Sequence, residues 1–293
     1  MTAFEDVSPD AFDGAALAAS ADLEKVGTRP KIWRYLRDAW QRRSFALTLS
    51  RFNLQASTAK SSLGVAWLVL VPALQIGIYG IIFGVVLGSV RPANFLPYLI
   101  TGIVLFQFIS GCFTDGAKAI TANASLVRSL DFPRILLPLS SVVANVIKVG
   151  PLLVLMLLGI IGFGEVPNWN WFLLIPALLL MTLFASGLSM IAARLTVHFQ
   201  DLNQLLPFLV RVLFYTSGIF YTVDRLAGGF KWAQIILHNN PFHIYLTLAR
   251  GVLVDGYSAT SMDWIVGSAW ALATLIIGTL FFWQAEERYG RNV

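Results

Sequence analysis

Two cations, Lys148 and Arg211, lie inside long apolar stretches of this 293-residue chain, and no carboxylate lies near the middle of any of them. A cation at the centre of a bilayer costs roughly 2.5–3.5 kcal/mol, so each is expected to face protein or water. Beyond an acidic N-terminal segment the carboxylates are Asp38, Asp115, Asp131, Glu165, Asp201, Asp224, Asp255, Asp263, Glu286 and Glu287, none near the middle of a span. Ion-coupled transport and intramembrane hydrolysis place carboxylates at the midplane, so both lose weight. The nearest approach to a phosphate-binding loop, Gly111 to Lys118, has Ala117 where the lysine belongs and ends an apolar stretch instead of following a strand. His198, His238 and His243 show no metal-binding spacing, and Cys112 is a single cysteine, which rules out an intrachain disulfide or a cysteine-built metal site. No catalytic residue and no metal ligand is assigned.

Polar and aromatic residues do share helix faces. On the stretch Leu202 to Tyr221, Gln204, Phe208, Arg211, Tyr215 and Gly218 recur at helical spacing. On Leu63 to Gly88, Trp67, Val71, Gln75, Ile78 and Ile82 do likewise. A face mixing amides, a cation and rings suits sugar, because pyranose C–H faces stack on aromatics while hydroxyls take hydrogen bonds. The same residues also fit plain helix packing with interfacial aromatics.

The elements that must hold these faces are membrane spans. The chain is 57% hydrophobic and 13% charged, with a mean hydropathy of +0.70, so lipid must cover much of its surface. Six stretches reach the length of about 20 residues that a bilayer requires: Leu63 to Gly88, Phe95 to Phe113, Ile135 to Gly162, Trp171 to Ala193, Leu202 to Tyr221 and Trp264 to Trp283. With both termini cytoplasmic, fifteen loop cations fall inside against four outside (Arg91, Arg225, Lys231 and Arg250). The net charge of +5 is thus largely a topology signal, and a nucleic-acid partner is not indicated.

Three further segments carry information. Residues 1–29 are acidic at first and read as a disordered tail, with neither the positive start nor the apolar run of a secretory signal. Within 30–60, Ile32, Trp33, Leu36, Ala39, Trp40 and Leu47 share a face opposite Arg34, Arg37, Asp38 and Gln41, which predicts an amphipathic helix in the cytoplasmic headgroup layer. Thr114 to Arg134 is too polar to cross yet rich in apolar residues with no internal core to bury them; a short cytoplasmic helix ending before Pro133 is expected. In Thr222 to Asp263, Trp232 to Leu237 and Phe242 to Val254 are each too short to span, and predict an external re-entrant or interfacial helical hairpin.

Four motifs now resemble a known family. Lys60-Ser-Ser-Leu-Gly-Val-Ala-Trp67 with Pro72, Asn123 to Arg134 with Pro138, Ser217-Gly-Ile-Phe-Tyr221, and Asn240-Pro241 with Arg250-Gly251 are similar, in order, to motifs of ABC-2 type permeases that export polysaccharides, the Wzm-like component. The resemblance runs from about Arg51 to the C-terminus, making 61–293 the transmembrane domain. Where this family often has an Arg-Asp pair, Arg51 is followed by Phe52 and Asn53, and the acidic tail has no counterpart. The resemblance implies an all-α, six-span subunit of a homodimer in a bacterial plasma membrane, served by two copies of a cytoplasmic ATPase that binds ATP and Mg. This chain itself would bind no cofactor. The cargo would be a lipid-linked glycan of O-antigen, galactan or teichoic-acid type. It further implies that Asn123, Leu126, Val127, Arg128, Asp131, Phe132, Pro133 and Arg134 couple to the ATPase. Asn240, Pro241 and Arg250 would belong to the external hairpin, and Trp67, Gln75, Gln204, Phe208, Arg211 and Tyr215 are candidates for the translocation path. A drug-exporting ABC-2 permease, a secondary transporter and a membrane enzyme remain as alternatives.

Overall fold

The computed structural model describes residues 30–58, 64, 66–88, 91–223, 230–287 and 289, and these form helices and turns without a strand. The acidic tail and most of the Lys60–Trp67 motif lie outside the described residues. In chain order the helices are α1 (Ile32–Gln41), α2 (Arg43–Thr58), α3 (Ala66–Val86), α4 (Phe95–Lys118), α5 (Ala124–Ser129), α6 (Leu136–Gly162), α7 (Leu174–His198), α8 (Leu202–Thr216), α9 (Lys231–His238), α10 (Pro241–Leu253) and α11 (Ser261–Gln284). A 3₁₀ turn, Trp169–Leu173, leads into α7.

Five of these are long and apolar enough to cross a membrane: α3, α4, α6, α7 with its leading turn, and α11. The expected fifth stretch behaves differently. Helix α8 stops at Thr216 after 15 residues, about 22 Å of rise and short of a bilayer core of about 30 Å. The chain then turns through Gly218, whose φ of +68° is left-handed and open to glycine at little cost. Helix α4, in contrast, runs five residues past the expected end at Phe113 and takes Asp115 into the helix.

Local signals explain several boundaries. Asn240 caps α10 by accepting the Phe242 N–H at 3.0 Å, with Pro241 in the first turn where its missing N–H is harmless. Thr260 and Asp263 form a reciprocal capping box at the start of α11. Helix α5 gives way at Leu130 to extended backbone just before Pro133, as the proline predicts.

The largest core centres on α4, whose Leu99, Ile103, Leu105 and Ile109 are sealed by α6, α7 and α10. Helices α7 and α11 touch backbone to backbone at Gly187 and Gly278, where any side chain would strike the facing main chain. A second core joins α1, α2 and the segment after α4 to the C-terminal end, through Tyr35, Ala39, Ala46, Ile120, Val127, Phe132, Leu137, Phe282 and Tyr289.

That second core corrects two expectations. Thr114 to Arg134 does have an internal core to bury its apolar residues. The single helix expected over 32–47 is broken at Arg42 into α1 and α2. Helix α1 packs with Tyr35 and Ala39, a face rotated from the tryptophan side, and leaves Trp33 and Trp40 81% and 70% exposed. Its tryptophans stay available to a membrane surface while the neighbouring face holds protein.

Candidate functional site

The residues expected to couple to an ATPase separate into a buried and an exposed set. Val127 and Phe132 are buried, and Phe132 rests on Phe45 of α2 with ring centroids 4.9 Å apart. Leu126 is half-buried against the same core, Pro133 is half-buried, and Asn123 Nδ2 donates to the Ala119 carbonyl at 2.7 Å. Phe132 is therefore an internal anchor. The outward face carries Ser125, Arg128, Ser129, Leu130 and Asp131, with Leu130 49% exposed. Arg42 donates to the Asp131 carbonyl and ties the break between α1 and α2 to this segment.

Arg134 closes the segment onto Glu286, which follows α11. The Arg134 N–H donates to Glu286 Oε1 at 3.0 Å, and Arg134 Nη1 donates to the Glu286 carbonyl at 3.0 Å. The Tyr35 hydroxyl donates to Glu286 Oε2 at 2.7 Å and accepts the Ile135 N–H at 3.0 Å. Burial pushes the Glu286 carboxyl above the usual glutamate range, while the Arg134 backbone, the Tyr35 hydroxyl and the Arg134 charge pull it back. Neither Tyr35 nor Glu286 stood out in the sequence. Tyr35 lies on the flank of the apolar face that was assigned to the membrane, and nothing local distinguishes Glu286 from Glu287.

The residues expected to line the translocation path share the predicted faces. On α8, Gln204, Phe208, Arg211 and Tyr215 are all exposed, Phe208 at 68%, while Leu206 on the other side packs against Phe113, Ala117 and Ala192. Arg211 makes no ion pair among the described residues. On α3, Trp67, Val71, Ile78 and Ile82 are exposed, whereas Gln75 sits at the edge of that face and accepts a hydrogen bond from Gln107 of α4. An aromatic cluster joins α3 to α8 and to the turn after it: Tyr79 meets Phe214 at 5.6 Å, and Phe83 stacks on Phe220 at 4.1 Å. Lys148 is paired with Asp115 of α4, at 3.1 Å.

The motif residues of the hairpin meet at the end of α8. A helix leaves its last carbonyls without partners, and here side chains from elsewhere take that of Thr216 and those of the turn that follows. Arg250, 2% exposed, donates from Nη1 to Gly218 at 3.0 Å, from Nη2 to Ile219 at 3.4 Å and from Nε to the Tyr98 carbonyl at 3.2 Å. Its guanidinium lies 3.4 Å from the centre of the Tyr98 ring. The Tyr98 hydroxyl lies 2.8 Å from both the Gly218 and Tyr221 carbonyls and donates to one of them. His243 Nδ1 sits 3.2 Å from the Ser217 carbonyl, and Asn240 Nδ2 reaches that of Thr216 at 3.4 Å. Gly102 leaves room for the guanidinium, since any side chain there would collide with it. Tyr98 gave no signal in the sequence.

Residues 45–254 match the model of the ABC-2 type transporter membrane family. The chain belongs to that family. Among curated relatives, it is 29% identical over 260 residues to an O-antigen export system permease of Myxococcus xanthus, covering 89% of this chain and 99% of the relative. A protein of the same description from Klebsiella pneumoniae is 25% identical over 247 residues, 83% and 92% of the two chains. The polysialic acid transport protein KpsM of Escherichia coli is 24% identical over 241 residues, 80% and 91%. As an ABC-2 membrane protein, the chain places its family motifs where the structure gives them work: the segment before Pro133 on the outer rim of the second core, and Asn240, Pro241 and Arg250 around the end of α8.

Proposed function

We propose that this chain is the permease subunit of an ATP-driven exporter that moves a lipid-linked polysaccharide, of O-antigen or capsule type, across a bacterial inner membrane. Two copies form the channel, and a cytoplasmic ATPase, itself in two copies, binds ATP and Mg and docks on the exposed rim of Ser125, Arg128, Leu130 and Asp131. Both termini are cytoplasmic. Helix α8, its turn at Gly218 and the α9–α10 hairpin together make the crossing that α8 is too short to make, with the hairpin entering from the outside as a re-entrant element.

The observation that carries this reading is the face of α8. Gln204, Phe208, Arg211 and Tyr215 lie exposed along one side of a helix whose other side is packed, next to the exposed face of α3. A sugar chain crossing about 30 Å of hydrocarbon needs stacking surfaces and hydrogen-bond partners throughout, and this face offers both. Arg211 supplies a bidentate donor for the phosphate of a lipid carrier. Replacing Phe208 and Tyr215 together by Ala is expected to lower glycan export roughly tenfold, the size of about 1.4 kcal/mol of lost stacking, with ATPase assembly intact. Arg211→Gln, read separately, is expected to weaken export of the lipid-linked cargo. Unchanged export by both variants would leave these residues as lipid-facing packing.

A further inference from the structure

A polar lane runs along the cytoplasmic half of α4 and α6, apart from the α8 face. On α4, Gln107, Ser110, Gly111, Thr114, Asp115 and Lys118 recur on one side, each half-exposed or exposed, while Phe108, Ile109, Cys112, Phe113, Gly116 and Ala117 on the other side are buried. Across from them, Ser141, Asn145 and Lys148 recur on α6 at helical spacing. Asp115 Oδ2 accepts from Asn145 Nδ2 at 2.9 Å and from Lys148 Nζ at 3.1 Å. Gly111 permits this approach, since a Cβ there would lie 2.7 Å from Asn145 Oδ1. At the upper end, the Gln107–Gln75 hydrogen bond joins the lane to α3.

The arrangement is costly for a mere clamp. Two ionised side chains within membrane-spanning helices have to be kept from hydrocarbon, yet Lys148 and Asp115 remain 27% and 45% exposed. Gln107 to Lys118 covers about 16 Å, half the bilayer core. The lane offers both donors and acceptors: among the described residues, Gln75 Nε2 has no hydrogen bond, and Asp115 uses one carboxylate oxygen. Ser110 and Thr114 donate back to their own helix, at 3.3 and 2.9 Å, and keep acceptor capacity. A site for an anion alone would not carry Asp115 at its centre. Hydroxyls, which donate and accept, match the set.

We propose that this lane is a sugar-binding subsite for the cargo glycan in the cytoplasmic half of the membrane, delivering the chain to Gln75 and the α3–α8 face. The inference rests on the glycan-export reading above. The test uses the assembled permease–ATPase complex in cells whose glycan carries a radiolabelled sugar, with the photoreactive residue benzoylphenylalanine placed singly at Thr114, at Phe208, or at Leu280. Leu280 lies as many residues into α11 as Thr114 does into α4, on an exposed apolar surface. Thr114 and Phe208 should capture labelled glycan and Leu280 should not. In parallel, Ser110→Ala with Thr114→Val, which removes two hydroxyls without adding bulk, should lower export roughly threefold to tenfold, the size of one or two lost hydrogen bonds, with unchanged complex yield. Capture at Phe208 without capture at Thr114, or a Thr114 adduct that holds a second permease and no sugar, overturns the lane and leaves the export reading standing. Capture at neither position overturns both.

Discussion

Arg250→Met should yield a permease that is made but does not hold together in detergent. The substitution keeps an unbranched side chain and removes the three guanidinium hydrogen bonds to the Tyr98, Gly218 and Ile219 carbonyls. The Tyr98 carbonyl keeps its place in the α4 ladder and Gly218 keeps the Tyr98 hydroxyl, so among the described residues Ile219 alone is left without a partner, at about 1–3 kcal/mol. The three lost bonds from a charged group add at most about 1.5–3 kcal/mol each. The sum is several kcal/mol against a total stability of about 5–15 kcal/mol, which corresponds to a fall in melting temperature on the order of 10 °C. Arg250→Lys keeps the charge but not the planar fork, so it should fall between the two. Thermal unfolding of the purified permease, followed by loss of the monodisperse peak, measures this. A wild-type midpoint for Arg250→Met would show that the end of α8 is not held from α10.

Glu286 should matter in a different way, for coupling more than for folding. The carboxylate joins three segments far apart in the chain, α1 through Tyr35, the coupling segment through Arg134, and α11 through its own backbone. In the proposed complex, movement of the exposed rim at Leu130 would reach the spans through this joint, because Arg134 and Ile135 lead directly into α6 and Glu286 follows directly on α11. Glu286→Leu or Tyr35→Phe should therefore let the ATPase turn over with much less glycan exported per ATP, whereas Glu286→Gln, which keeps an acceptor for the Arg134 N–H, should restore part of the ratio. Equal ratios in all variants would reduce the joint to packing. The raised pKa of Glu286 adds a pH signature. The folded chain holds this proton more tightly than the unfolded chain does. Stability contributed by the carboxyl is thus present below the ordinary glutamate value of about 4.3 and is lost as pH rises through the folded-state value. Glu286→Gln should flatten that part of the profile of melting temperature against pH.

How much of this was legible in the sequence depends on how local each signal was. The apolar runs that became α3, α6, α7 and α11 needed only hydropathy and length. Helix α8 shared that hydropathy but ended at Ser217-Gly218, where the left-handed turn and donors from α10 and α4 replaced helical hydrogen bonds. Helix α4 overran its expected end because Thr114 is satisfied by its own helix and Asp115 by Asn145 and Lys148, partners some thirty residues away. The same blindness to distant partners hid the second core, which brings Tyr35, Phe45, Phe132 and Tyr289 together and buries Phe132 inside this chain. Helical phase needs no distant partner, and Gln204, Phe208, Arg211 and Tyr215 do share the open side of α8 as their spacing predicts. The motif Asn240-Pro241 marked the start of α10, but the Gly218 and Ile219 carbonyls that Arg250 holds, in the turn after α8, were visible only in the structure.

The central claim is that this chain provides the membrane route for a glycan while a separate ATPase supplies the energy. Its most direct test is vectorial transport in proteoliposomes containing only the purified permease, its cognate ATPase and a fluorescently labelled lipid-linked glycan, with a membrane-impermeant lectin reporting glycan that crosses to the opposite face. The account predicts that ATP and Mg added on the ATPase side make glycan accessible to lectin on the other side, and that omitting either protein abolishes the signal. ATP hydrolysis by an intact complex with no glycan crossing, alongside ATP-driven movement of a small apolar drug, would contradict it.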